Sequence, residues 1–114
     1  MPAPGQLVWL EFDPQAGHEQ AGRRPAIVLS SREYNRKTGL ALFCPITSRV
    51  KGYPFEVGVT FASIRGVILA DQVKSLNWRT RRAELIGRVE EGVLQEVLGK
   101  LTVTLGEAGE ITQS

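Results

Sequence analysis

The chain predicts a mainly β fold with a C-terminal α-helix, organised as a small, strongly bent sheet or barrel. Three observations lead there. Between Leu7 and Val89, five or six short apolar or alternating segments are separated by Gly-, Pro- and Asp-containing turns. Beyond Val89 the period lengthens, and Val93, Leu94, Val97, Leu98 and Leu101 recur on one helical face. A length of 114 residues suits one domain that buries a core without disulfides or metal.

Each element has its own warrant. Leu7 to Phe12 reads as a mostly buried strand, stopped by Asp13-Pro14. A polar loop from Gln15 to Arg24 precedes the strand Ala26 to Ser30. Ser30 stands three residues before Glu33, a capping-box spacing that predicts one short helical turn through Tyr34 and Asn35. Lys37-Thr38-Gly39 turns the chain into the strand Leu40 to Ile46, and Thr47 to Pro54 is a second polar loop. Phe55 to Val59 alternates like a half-exposed strand. Gly66 to Ala70 reads as a fifth strand, buried on both faces, with Asp71 to Lys74 continuing from it. Ala83 to Val89 is the last strand. An amphipathic helix then runs from about Glu90 to Leu105, with Glu91, Gln95, Glu96 and Lys100 facing outward. Residues 1–105 form the single domain, and 106–114 are expected to be a frayed tail.

Composition excludes several classes. Cys44 is the only cysteine, so there is no internal disulfide framework and no cysteine zinc site. Its apolar flanks make it a small buried hydrophobe, and the usage suits a reducing cytoplasm. Met1-Pro2-Ala3-Pro4-Gly5 lacks a signal pattern, and no apolar run approaches the roughly 20 residues that span a bilayer. The formal charge is only +2. Its distribution is more telling. Arg23, Arg24, Arg32, Arg36 and Lys37 form one basic group, and Lys74, Arg79, Arg81 and Arg82 another, whereas acids gather toward the C-terminus. One electropositive face would suit a phosphate-rich ligand.

The densest chemistry lies in Gly17-His18-Glu19-Gln20-Ala21-Gly22-Arg23-Arg24-Pro25. Glycine-bounded polar loops are usually only solvated connections. Here, however, Arg24 stands where the loop enters a buried strand, and Pro25 biases it toward extended backbone, which gives the guanidinium a rigid base. A second segment, Pro45-Ile46-Thr47-Ser48, brings two hydroxyls to a strand exit. They are either turn-formers or donors to a phosphoryl oxygen that Arg24 could also hold.

These residues carry a resemblance. Trp9, Phe12-Asp13-Pro14, Gly17-His18-Glu19-Gln20, Gly22, Arg24-Pro25-Ala26, Pro45-Ile46-Thr47, Lys51-Gly52-Tyr53-Pro54-Phe55 and Gly66-Val67 through Ala70-Asp71-Gln72-Val73-Lys74-Ser75 resemble the MazF/PemK (Kid) toxins, from about Gly5 to Leu105. The resemblance implies an SH3-like barrel of the MazF/Kid/CcdB type, working as a homodimer. It also implies a sequence-specific, ribosome-independent endoribonuclease that cuts single-stranded RNA, chiefly mRNA, and halts translation. The substrate's 2′-hydroxyl attacks, leaving a 2′,3′-cyclic phosphate and a 5′-hydroxyl, with no metal or other cofactor. An antitoxin partner with an acidic, partly disordered segment would lie across the basic site. The family's essential arginine and threonine fall on Arg24 and Thr47, and its acidic loop position on Glu19. His18 and Asp71 match a histidine and an aspartate used by Kid-like members. Leu69 stands where those members carry a further arginine, which places the chain nearer the MazF branch. Arg23 departs from some MazF members, which carry histidine there, and puts an extra cation in its place.

In-line attack needs a proton acceptor, charge stabilisation on the phosphoryl oxygens and a donor for the leaving oxygen. A guanidinium is a donor-only group, so Arg24 suits the clamp rather than proton removal. Thr47 suits a non-bridging oxygen. Glu19 or His18 is the candidate base, and either could instead orient Arg24 or read a base. Unpaired bases stack on aromatic faces between cations, and Ser48, Lys51 and Tyr53 offer one such loop. Trp78, Arg79 and Arg81 offer another, with Lys74 beside it and Gln20 and Arg23 on the first loop. For Trp78, packing within the barrel or against a second subunit weighs as much as RNA contact. The rival classes are a non-catalytic gyrase-binding toxin of the CcdB type and an SH3-like module for proline-rich peptides. Arg24 and Thr47 beside an intact first loop speak against the former, and scattered aromatics against the latter.

Overall fold

The computed structural model describes residues 1–12 and 22–106. Among these residues, seven strands and two helices follow in the order β1 (Gln6–Glu11), β2 (Arg23–Val28), α1 (Arg32–Thr38), β3 (Leu40–Thr47), β4 (Glu56–Phe61), β5 (Ile64–Leu69), β6 (Lys74–Asn77), β7 (Glu84–Arg88) and α2 (Glu91–Leu105). Every pairing is antiparallel. The strands run β4-β5-β3-β2-β1-β7 across one sheet, and β6 pairs with β3.

The long strand β3 organises this sheet. One of its edges pairs with β2 through Phe43, Cys44 and Pro45. The other edge is divided: Leu40 to Phe43 meet β6, and Ile46 and Thr47 meet β5. Pro45, which has no N–H to give, stands in the gap between those two partners. Dividing one strand between two partners curls the sheet, and its far ends come together where the Phe61 ring of β4 lies on Gly87 of β7. A Cβ at Gly87 would come within 2.2 Å of that ring.

The curled sheet buries apolar side chains on both faces. Leu7, Ile27, Cys44, Ile46, Val57 and Ile68 form the larger cluster, closed by Leu94 and Val97 of α2. Val8, Leu10, Phe12, Ala26, Val28, Ala41 and Phe43 form the smaller one, with Leu76, Trp78 and Ala83 packed against it. Burial on both faces explains why the central strands read as near-continuous apolar runs.

Several boundaries correct the sequence reading. β2 begins at Arg23, not Ala26, because Arg23 and Arg24 already pair with Glu11 and Leu10. The short helix is seven residues long, and its cap is Ser31, whose Oγ accepts from the Tyr34 N–H at 3.1 Å. Ser30 instead accepts from the Leu42 N–H at 2.8 Å and donates to the Asn35 side chain at 2.5 Å. Asn35, wholly buried, also donates to the Pro2 carbonyl at 2.8 Å and so ties the N-terminus to α1. Asp71 to Lys74 does not extend the fifth strand. The chain turns there, with the Gln72 N–H donating to the Leu69 carbonyl, and Lys74 opens β6. The tail expected over 106–114 lies, except for Gly106, outside the described residues.

Candidate active site

Register brings the two principal candidates together. In the β2–β3 ladder Ala26 faces Pro45, Ile27 faces Cys44 and Val28 faces Phe43. Carried two residues further, the same register sets Arg24 opposite Thr47, and period-two alternation puts both on one face. The paired ladder ends at Ala26, so the strands open there. Arg24 and Thr47 line both clefts at this opening.

The first cleft, about 250 Å³, is lined by Arg24, Thr47, Arg49, Lys51, Tyr53, Glu56, Leu69 and Gln72. The second, about 310 Å³, runs past Trp9, Pro25, Ser48, Ser63 and Arg65. Gly66 permits the close approach between them, since a Cβ there would lie 2.1 Å from the Thr47 carbonyl oxygen. Among the described residues, the clefts together gather Arg24, Arg49, Lys51 and Arg65 with one carboxylate, Glu56.

Local hydrogen bonds set the donors. Thr47 Oγ1 accepts from the Arg49 N–H at 3.1 Å, which uses one lone pair and leaves the hydroxyl proton to give. Glu56 accepts from the backbone N–H groups of Lys51, Gly52 and Tyr53 at 3.0, 3.1 and 3.3 Å. The Tyr53 phenol donates to Asp71 Oδ2. That bond raises the phenol's pKa from its ordinary 10.0, helped by desolvation and by the Asp71 charge. Asp71 Oδ1 is buried and has no hydrogen-bond partner among the described residues. Burial, with a smaller contribution from Asp71, pushes the Cys44 thiol up to about 12. It therefore stays protonated, as expected of a core hydrophobe rather than a nucleophile.

The sequence candidates divide by position. Arg24, Thr47, Ser48, Lys51 and Tyr53 line the clefts, and Asp71 joins them through Tyr53. His18, Glu19 and Gln20 lie outside the described residues. The remainder are engaged elsewhere. Arg23 pairs with Glu84 at 2.7 Å. Arg81 donates to the Glu11 and Phe12 carbonyls at 3.1 and 2.8 Å. The Trp78 indole donates to the Asn35 carbonyl at 2.9 Å, with Arg79 stacked 4.8 Å over its ring. Lys74 lies 5.8 Å over Phe12. The reading of the sequence did not single out Glu56, Arg65 and Gln72, which also line the clefts. Only the glycine turn at Gly52, four residues before Glu56, signals the loop that Glu56 serves.

Three comparisons bear on this arrangement. The model of the family described as PemK-like, MazF-like toxins of type II toxin–antitoxin systems matches residues 3–105. The endoribonuclease toxin MazF of Escherichia coli K12 is 50% identical over 106 residues, covering 93% of this chain and 96% of that one. The endoribonuclease PemK of Escherichia coli is 34% identical, with coverage of 89% and 80%. Among solved structures, a MazF from Deinococcus radiodurans superposes with a TM-score of 0.84 at 57% identity, covering 93% of this chain and 97% of that one. A MazE–MazF structure from the same organism gives 0.81 at 50% identity, covering 94% and 97%.

Proposed function

Because the chain belongs to the PemK-like, MazF-like toxins of type II toxin–antitoxin systems, we propose that it is an endoribonuclease toxin neutralised by a partner antitoxin. The observation that best supports an RNA-cleaving site is the meeting of Arg24 and Thr47 at the mouth of two cation-lined clefts. An A-form duplex hides its base edges, whereas an unpaired strand can lay a phosphate at this junction and bases along the walls.

At that phosphate the 2′-hydroxyl attacks in line, and charge develops on the non-bridging oxygens. The Arg24 guanidinium clamps them with its fork of donors. Thr47 donates a hydrogen bond from its hydroxyl to one of them. Glu19 or His18 accepts the 2′-hydroxyl proton as the P–O2′ bond forms. The P–O5′ bond breaks, and the leaving 5′-oxygen takes its proton late from the Arg24 guanidinium, which is restored from water. The products are a 2′,3′-cyclic phosphate and a 5′-hydroxyl. The reaction on this reading draws on no metal and no cofactor, is independent of the ribosome, and is sequence-specific through Ser48, Lys51 and Tyr53. The toxin acts as a homodimer, and an acidic segment of the antitoxin occupies the same cationic clefts. No helix among the described residues is long and apolar enough to cross a membrane.

The decisive experiment incubates the protein with a long single-stranded RNA in EDTA and maps the cut positions and end chemistry. Recurrent cuts leaving 5′-hydroxyl ends are expected. Absence of cleavage, or 5′-phosphate ends, would overturn the reading.

A further inference from the structure

Among the described residues, Glu56 is the one carboxylate lining a cleft that also holds Arg24, Arg49 and Lys51. A free carboxylate there would repel an anionic ligand. This one is not free. It stands on the first residue of β4 and turns both oxygens toward three consecutive backbone N–H groups, those of Lys51, Gly52 and Tyr53. Gly52, at φ +78°, supplies the left-handed backbone that lets such N–H groups converge on one anion. The Glu56 N–H in turn donates to the Tyr53 carbonyl at 3.1 Å.

The loop is secured elsewhere too. The Arg49 N–H donates to Thr47, the Tyr53 phenol donates to Asp71, and Lys100 of α2 donates to the Pro54 carbonyl at 2.6 Å. The exposed segment from Ser48 to Pro54 is thus ordered by its own protein before any ligand arrives. Ordering a residue on binding costs about 1–2 kcal/mol, so a loop ordered in advance strengthens binding without adding a contact.

We propose that Glu56 is a positioning residue, which presets the β3–β4 loop as the base-reading wall of the cleft by holding Lys51 and Tyr53 in place. The inference rests on the reading of this cleft as the RNA-cleaving site. Arg24 and Thr47 stand on strands β2 and β3, so they keep their places when the loop loosens. Glu56 therefore acts on RNA binding and site choice, not on the chemical step.

Two measurements on wild type, Glu56→Gln and Glu56→Ala test this. One is steady-state cleavage of an RNA oligonucleotide containing a site mapped for the wild type. The other is limited trypsin digestion without RNA, scored for cuts after Arg49 and Lys51. Glu56→Ala is expected to be nicked in the loop at least several-fold faster. Its KM should rise about tenfold, the factor that corresponds to ordering one backbone residue on binding, with kcat within about twofold. Glu56→Gln keeps one acceptor oxygen and should fall between. It also decides the matter if Glu56→Ala fails to fold. Faster nicking with unchanged KM, or a fall in kcat with unchanged KM, overturns the proposal. Should the wild type cleave no RNA, the functional reading fails, while unchanged digestion of the variants would separately remove the latch.

Discussion

Two basic regions of this molecule differ in what surrounds their cations. The first, Arg24, Arg49, Lys51 and Arg65, borders the two clefts at the β2–β3 opening. The second, Lys74, Arg79, Arg81 and Arg82, leans on the scaffold, although all but Arg81 stay exposed. Arg81 ties the end of β1 through two carbonyls, Arg82 meets Glu11 at 3.6 Å, and Arg79 and Lys74 lie over aromatic rings. Arg82 also adopts φ +57°, a left-handed conformation that a non-glycine residue holds only where its surroundings fix it. The cations alone do not distinguish a ligand surface from a structural clasp. What distinguishes them, among the described residues, is whether protein carbonyls, carboxylates and rings already engage the cation.

The largest effect that could break this comparison lies in the first region. Arg24→Ala and Thr47→Ala should each slow RNA cleavage a hundredfold or more, about 3 kcal/mol, the size seen for a lost oxyanion donor. Circular dichroism and melting temperature should stay at wild-type values, because both side chains are half-exposed at a strand opening. Near-wild-type cleavage by either well-folded variant would remove the site from these clefts.

The second region should respond in the opposite sense. Arg81→Ala strips two carbonyls at the end of β1 of their donor and should destabilise the fold by about 1–3 kcal/mol. A melting temperature lowered by several degrees is the expected readout. An unchanged melting temperature with impaired RNA binding would make Arg81 a ligand contact after all.

How far the sequence foretold this depends on the range over which each feature is decided. β1, β3 and α2 were legible because apolar period and turn residues are local. β6 was not, since Lys74-Ser75-Leu76-Asn77 presents one strong apolar residue and is a strand only because the N-terminal half of β3 accepts it. Arg24 and Thr47 stood out as polar residues at strand ends, but their meeting depends on an antiparallel register that no local pattern contains. Glu56 hid among the outward residues of an alternating strand. Its role appears only when the loop before it folds back over its carboxylate. The partners of Arg23 and Arg81, Glu84 and the end of β1, are likewise distant in the chain and show only in the folded structure.

The smallest effect sharpens the comparison most finely, because it counts charges rather than activity. An uncleavable 2′-deoxy version of the substrate oligonucleotide can be titrated at several salt concentrations by fluorescence anisotropy. Each cation that neutralises a phosphate of a single strand adds about 0.7 to the slope of log affinity against log salt. Arg49→Ala and Lys51→Ala should each flatten the slope by roughly that amount. Arg79→Ala should leave it unaltered, because its guanidinium stacks on Trp78 and lines neither cleft. Equal flattening by Arg79→Ala and Lys51→Ala would mean that the strand runs over both basic regions. The contrast between ligand surface and clasp would then hold for Arg81 and Arg82 alone.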